Sequence, residues 1–370
     1  MSQQLVLKPW PGHMSYSQVN AIADCGERYR LERGFGLRGR ASWSLVGGKA
    51  FHSATEFVDI ALERVRSPQT VWAQPDRTVV ASPTQSQDGP ELGTPVDEKQ
   101  LYIDDLVFIK QAQMGALEDA ALEVAATDED HPGSIREMWH AALAIEIASQ
   151  QLEILRTDQP GDQRPFTVPD AALWRAAGRA SARWPDKENH QWWLETGVSM
   201  LENYVRWRQT SGWTIAWLGA TPAIELDLTA VLADDIRVVG YMDRGMLNPD
   251  LGQAPTIVDI KTNKVEPSSA EQLGLYATLL EVLGFPRAPY GSYYMARAGV
   301  MSDPYDLSVY PLEYFQWKYR ASKAVRDAGN LQANPQSTFC GICGVRDYCY
   351  AVSGAQAHLV PKPWQRPVSV

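Results

Sequence analysis

The feature that most limits how this chain can fold is a change of period near residue 222. Upstream, apolar residues recur at helical spacing, as in Leu194, Val198, Leu201 and Val205. Downstream they alternate, with Ile224, Leu226 and Leu228 on one side and Glu225 and Asp227 on the other. Ala233-Asp234-Asp235 turns the chain into a second strand, Ile236 to Met242, and the loop Asn248-Pro249-Asp250 leads to a third, Thr256 to Lys261. Ser268-x-x-Glu271 reads as a capping box opening a helix that runs to about Leu283 and stops at Gly284. A strand over 290–296, a candidate strand over 306–310 and a helix near 312–330 follow. The pattern predicts an α/β C-terminal part behind a mostly helical middle.

At the other end, Ser15 or Ser17 can cap a short helix that ends at Cys25-Gly26. A second helix starts after Gly47-Gly48, where Phe51, Ala54, Val58, Ala61, Leu62 and Val65 share a face. Between them lies a basic loop with Arg28, Arg30, Arg33, Arg38 and Arg40, which reads equally as a phosphate-steering or a solvated segment.

Three charges stand out in the strands. Asp259 and Lys261 are two residues apart and leave the same face of the sheet, and Asp243 ends the neighbouring strand. Carboxylates brought together repel unless a divalent cation lies between them. A lysine beside them offers positive charge to a phosphate and can orient a water. Such a set suits phosphodiester hydrolysis, in which a metal lowers the pKa of its water from about 15.7 towards about 7. The tripeptide alone is weak, because ordinary strands with solvent-facing charges also carry Asp-x-Lys.

Its context is more specific. Gly48-x-x-x-His52, Gly240-x-x-Asp243-Arg244, Ile257-Val258-Asp259-Ile260-Lys261-Thr262 and Gln272-x-x-x-Tyr276 occur in an order that resembles the RecB-like branch of the PD-(D/E)XK nucleases. The resemblance covers roughly residues 15–56 and 222–350 and leaves out the middle. It implies a restriction-endonuclease-like α/β core, a mixed central sheet flanked by helices, with a largely helical insertion. It further implies that His52, Asp243 and Asp259 bind the metal with help from the Ile260 carbonyl, and that Lys261 is the catalytic lysine. Gln272 and Tyr276, one helical turn apart, would contact DNA near the scissile phosphate. Glu225 stands where the family often has an acid. A lone helical His is usually a surface residue, but the spacing from Gly48 fits the pattern, and neutral imidazole suits Mn²⁺ better than Ca²⁺. Glu56, one turn after His52, either supports the site from behind or is simply solvated.

The chain has four cysteines and no recognisable leader, so a disulfide framework is not expected. Cys340-x-x-Cys343 can clasp one centre, Cys349 follows, and Cys25 is the remaining thiol, more than 300 residues earlier. Four thiolates suit zinc or an iron–sulfur cluster, and spacing does not separate the two. Four unrelated buried thiols are the plain alternative. The iron–sulfur members of the RecB-like group, among them CRISPR-associated exonucleases and AddB-type repair subunits, have one cysteine before the nuclease motifs and three after. That resemblance implies a 4Fe-4S cluster, with zinc as runner-up, stapling the N-terminal helix to the C-terminus.

Composition sets the remaining bounds. An apolar content of 45% with 13 Trp argues for a buried core. Trp192, Trp193, Trp207, Trp213 and Trp217 read as packing residues before they read as base-stacking ones. The formal charge of −10 weighs mildly against a nucleic-acid partner, although it describes no local groove and a cation site must itself be acidic. No run reaches the roughly 18 apolar residues of a membrane helix, and Met1 to Trp10 has no signal-like core, so a cytoplasmic protein is expected. Gly47-Gly48-Lys49 lacks the first Gly and the Ser/Thr of a phosphate loop, so no nucleotide triphosphate site is expected. Any unwinding would then come from a helicase or a recombination or adaptation partner.

The expected organisation is N-terminal helices over 1–60, a helical insertion over 61–215 with a loop near 80–100, and a nuclease core with the cysteine cluster over 216–370, packed with 1–60 as one domain. The expected function is a metal-dependent DNA exonuclease that uses Mg²⁺ or Mn²⁺ on single strands or DNA ends. Two other readings are a non-catalytic DNA-binding or adaptation protein that keeps the fold, and a zinc or iron–sulfur protein without nuclease activity.

Overall fold

A computed structural model describes residues 5–39, 41–66, 98–126, 131–156, 167–176, 187–335, 338–341 and 343–365. Helices α1 (Tyr16–Asp24), α2 (Trp43–Arg66), α3 (Glu98–Ala126), α4 (Pro132–Arg156) and α5 (His190–Thr210) precede the sheet-forming half, which contains α6 (Glu271–Val282) and α7 (Leu312–Asp327). The main strands are β1 (Met14–Ser15), β2 (Thr214–Ile215), β3 (Ile224–Asp227), β4 (Ala230–Ala233), β5 (Ile236–Val239), β6 (Tyr241–Asn248), β7 (Ala254–Lys261) and β8 (Tyr290–Met295). The expected loop near 80–100 lies, up to residue 97, outside the described residues, as does Arg40.

The sheet is mixed. β6 and β7 run antiparallel, whereas β7 and β8 run parallel, joined by α6 as the crossover that a parallel pair requires. The other edge of β6 pairs antiparallel with β2 and β3. β1, β5 and β4 form a smaller second sheet. A mixed sheet flanked by helices is the architecture that the sequence motifs imply.

β7 is apolar on both faces because helices cover both. Val258 and Ile260 join an apolar cluster with α2, α4 and α5, and Ile257 joins another with α1, α6 and α7. The acid of β7 is therefore not solvent-facing, Asp259 being 2% exposed, while Lys261 at the strand's end is partly accessible. The tryptophan stripe of α5 packs inward as expected, with Trp193 fully buried.

Several boundaries move for steric reasons. Asp243 lies inside β6 instead of ending a strand; the break falls at Gly240, where a Cβ would come within 2.9 Å of Leu279 and 3.2 Å of Tyr276. α2 begins at Trp43, so Gly47 is inside the helix, and a Cβ there would come within 2.1 Å of the Trp193 ring. The expected capping box is not formed. Ser269 Oγ accepts the Glu271 N–H at 3.1 Å, and the Glu271 carboxylate accepts from Lys318 and Tyr314 on α7. Ser15 does cap α1, accepting from the Gln18 N–H, and Gly284 stops α6 with φ 85°. Among the described residues, no helix is long and apolar enough to cross a membrane.

Candidate functional site

The antiparallel pairing of β3 with β6 matches Ile224 to Arg244 and Leu226 to Met242, so Glu225 lies opposite Asp243. Opposed residues of an antiparallel pair share one face. Glu225 has φ 47°, the left-handed region that a non-glycine residue enters only at a cost of about 1–3 kcal/mol. α2 crosses above and delivers His52, whose Nδ1 is 3.4 Å from Asp243 Oδ2. One donor atom from each of His52, Glu225 and Asp243 lies within 4.8 Å of the other two, and no other three His, Cys, Asp or Glu donors among the described residues come so close. Glu56, one turn further along α2, is not in this group.

The second half of the site lies on β7 and α6. Asp243 Oδ2 accepts the Ile260 N–H at 2.8 Å. The β6–β7 ladder has no partner pair beyond Arg244–Val258 on that side, so a side chain takes over where the strands diverge. Ile260 thus faces Asp243 through its N–H. Lys261 Nζ is 2.5 Å from Asp259 Oδ2 and donates to Gln272 Oε1 at 3.3 Å, and Gln272 Nε2 donates to the Tyr276 hydroxyl at 2.8 Å. The structure therefore joins His52, Glu225 and Asp243 in one group, and Asp259, Lys261, Gln272 and Tyr276 in an adjoining chain.

Burial governs the titration of the whole site. It raises Glu225, Asp243 and Asp259 and lowers His52. Asp259 rises to about 6, from burial first and from the negative charge of Asp243 second, with Lys261 opposing both. Burial and then the Asp259 charge push Tyr276 well above its usual range, so it stays a neutral hydroxyl. Buried carboxylates with raised pKa values beside a neutral imidazole fit a divalent cation, which would remove their repulsion and replace lost hydration.

Sequence reasoning missed the support behind these residues. Asp59, fully buried on α2, accepts from Tyr204 Oη at 2.6 Å, Arg208 Nε at 2.5 Å and Arg244 Nε at 2.6 Å. Burial would raise its pKa, but the two guanidiniums outweigh burial and hold it below the usual carboxylate range. Arg244, also fully buried, extends its other nitrogens to Glu225 Oε1 at 2.8 Å, the Asp243 carbonyl at 2.6 Å and Thr55 Oγ1 at 3.3 Å. A signal was present: Thr55 and Asp59 interrupt the apolar face formed by Phe51, Ala54, Val58 and Leu62. An acid on the core face of a helix needs a buried cation to meet it.

The four cysteines are half-buried where the chain ends meet. The α-carbon of Gly26 lies against the backbone of Leu331, where a Cβ would come within 2.7 Å, and a Cβ on Gly39 would come within 2.6 Å of Gly344. Gly26 therefore serves close approach instead of ending a helix in the left-handed region. The Asn334 N–H donates to Cys25 Sγ at 3.4 Å, and the Asn334 carbonyl is 3.7 Å from Cys340 Sγ. Even so, no three cysteine sulfurs lie within 4.8 Å of one another among the described residues. The stretch expected as a basic loop is helical over Gly26–Tyr29 and Arg30–Gly34, and there Arg30 is buried against Glu27 and Arg28 pairs with Glu32 at 2.9 Å.

The family model described as the PD-(D/E)XK nuclease superfamily matches residues 138–350, more than half of the chain. The chain is also similar to the Gene 69 protein of Mycobacterium phage L5, 28% identical over 202 residues that span 44% of this chain and 68% of that protein.

Two expectations follow from the electrostatics. The folded protein retains the Asp259 proton between about pH 4 and 6, where the unfolded chain has lost it, so this group's contribution to stability falls as pH rises through that window. Asp259→Asn should therefore stabilise the metal-free protein at pH 7.5 by on the order of 1–3 kcal/mol, with the gain shrinking towards pH 4. Thermal melts in EDTA at both pH values test this, and an unchanged or lower melting temperature at pH 7.5 contradicts it. Asp59→Ala should cost about 3–5 kcal/mol in urea titrations, because it leaves buried guanidiniums unpaired; a loss below about 1 kcal/mol would show that Asp59 is not the counter-ion.

Proposed function

The chain belongs to the PD-(D/E)XK nuclease superfamily, and from that premise we propose that it is a divalent-metal-dependent DNA nuclease of the RecB-like branch, working as an exonuclease on single strands or strand ends. The observation that carries this reading is the convergence of His52, Glu225 and Asp243 beside the Asp259–Lys261 pair. His52 and Asp243 hold Mg²⁺ or Mn²⁺, Asp259 and the Ile260 carbonyl contribute from the adjoining strand, and Glu225 joins them from β3. When bound, the ion supplies an acidified water and neutralises phosphate charge. Lys261, held by Asp259 and Gln272, faces the phosphate as a fixed positive charge, and Gln272 and Tyr276 line the path of the strand. Glu56 stands outside the ligand set.

The cysteines are assigned to a 4Fe-4S cluster that staples the chain ends. One observation supports this: the thiols lie on segments already in backbone contact, since Glu27 N–H donates to the Gln332 carbonyl at 3.1 Å. The nuclease unit is taken to comprise residues 1–60 and 216–370, with 61–215 as its helical insertion. DNA is the macromolecular partner, and strand separation is left to a helicase or a recombination protein.

Wild-type protein with Mn²⁺ should degrade end-labelled single-stranded DNA, and Asp259→Asn and Lys261→Ala should each lower the rate by about 10²–10³-fold. Cleavage by either variant at the wild-type rate sinks the site assignment. Cys343→Ala should bleach the absorbance of an iron-reconstituted sample and lower its melting temperature by several degrees. A melt identical to wild type removes the staple.

A further inference from the structure

We propose that the cavity between α1 and the β5–β6 junction is a subsite for one unstacked nucleobase of the strand being cut, adjacent to the scissile phosphate. This rests on the nuclease reading above. The cavity is about 530 Å³, within the range of about 300–1,000 Å³ common for small-ligand sites. One wall is Gln272 and Tyr276, the same two side chains that run back to Lys261 through hydrogen bonds of 3.3 and 2.8 Å. A group seated there is one side chain away from the lysine ammonium.

The opposite wall is the outer face of α1, with Tyr16, Ser17 and Asn20, and the rim carries Tyr241. Gly240 lets the strand pack closely on Tyr276, whose ring a Cβ would meet at 3.2 Å, so that the ring is seated firmly in the wall. Tyr241 is 57% exposed, a large aromatic ring standing free at the start of β6.

The chemistry of the lining selects a base over a phosphate. Of the nearby cations, Arg28 pairs with Glu32 at 2.9 Å, and the Lys318 ammonium is held by Glu271 and by Asn20 Oδ1. Besides Arg28 and the acid Asp24, which disfavours a phosphate, the polar and aromatic lining is neutral and hydrogen-bonding: Ser15, Ser17, Asn20, Gln272 and the tyrosines. Aromatic rings with neutral polar groups recognise unstacked bases through their faces and edges. A base inside a duplex cannot enter a cleft walled by a helix and a sheet, so the subsite makes single strands the better substrate.

The test measures binding and cleavage separately. Ser17→Trp fills the cavity from α1, Tyr241→Ala removes the rim ring, and Tyr241→Phe restores it; none is among the proposed metal or lysine residues. Binding of a dye-labelled oligothymidylate of about 12 nucleotides is followed by anisotropy with Ca²⁺ replacing Mn²⁺. Ser17→Trp and Tyr241→Ala should bind roughly ten-fold more weakly, with Tyr241→Phe near wild type. With Mn²⁺, hydrolysis of bis(p-nitrophenyl) phosphate, which has no base to seat, should stay at the wild-type rate in all three. Wild-type binding by both weakened variants overturns the subsite, as does a parallel loss of bis(p-nitrophenyl) phosphate hydrolysis. Wild-type protein that binds the oligonucleotide with the expected variant pattern, yet hydrolyses neither substrate, overturns the nuclease reading and leaves the subsite standing.

Discussion

A guanidinium with no exposed surface sits at the centre of this fold, and the rest of the site depends on how Arg244 is neutralised. Withdrawing such an ion from water costs several kcal/mol unless every donor is met. Here Asp59 meets one nitrogen, Glu225 and the Asp243 carbonyl meet a second, and Thr55 meets the third. Two of these partners lie on α2, and two are β3 and β6 residues. The demand of one buried charge therefore fixes the separation of helix and sheet. His52 precedes Thr55 by three residues and Asp59 by seven, so all three occupy one stripe of α2. Once Asp59 and Thr55 are locked to Arg244, His52 has little choice but to face Asp243.

The same arrangement sets up a contest of charges. Asp59 is held ionised by two guanidiniums, whereas Asp243, Asp259 and Glu225, only a few residues away in space, all have pKa values raised by burial. The difference is one of counter-ions. Arg244 and Arg208 each give Nε to Asp59, whereas Glu225 receives only one guanidinium nitrogen while its backbone is held at positive φ. Acids left short of positive charge, with a neutral imidazole beside them, are a group whose mutual repulsion a divalent cation would relieve.

How much of this was legible in the sequence follows from the range of each interaction. The β7 charges, the β6 acid and the Gln272–Tyr276 pair could be read because strand and helix periods place them within a few residues of one another. The expectation that Asp243 ends its strand failed because the break is set by Gly240 meeting α6, a contact with residues 36 and 39 positions later. The capping box failed for a similar reason: Glu271 accepts from Lys318 and Tyr314 on α7 instead of folding back on its own helix. Asp59 pairs with Arg208 and Arg244 across 149 and 185 residues, and no periodicity carries that information. Only its polarity on an apolar helical face betrayed it.

The net charge of −10 takes on meaning beside the ion pairs. Some of the surface cations that could draw in a polyanion are engaged: Arg28 by Glu32, Arg320 by Asp234, Lys323 by Asp327. Long-range attraction, which supplies most non-specific affinity for nucleic acid, is thus weak across these surfaces. A polyanion would have to be captured by short-range forces instead: an ion held by His52 and its neighbouring acids, one ammonium at Lys261, and neutral or aromatic side chains along α1 and α6. Short-range capture acts only on a strand already threaded into place, and threading needs a free end or an unpaired stretch. On the nuclease function proposed above, the acidity that at first weighed against a nucleic-acid partner becomes a filter for which form of it can reach the metal.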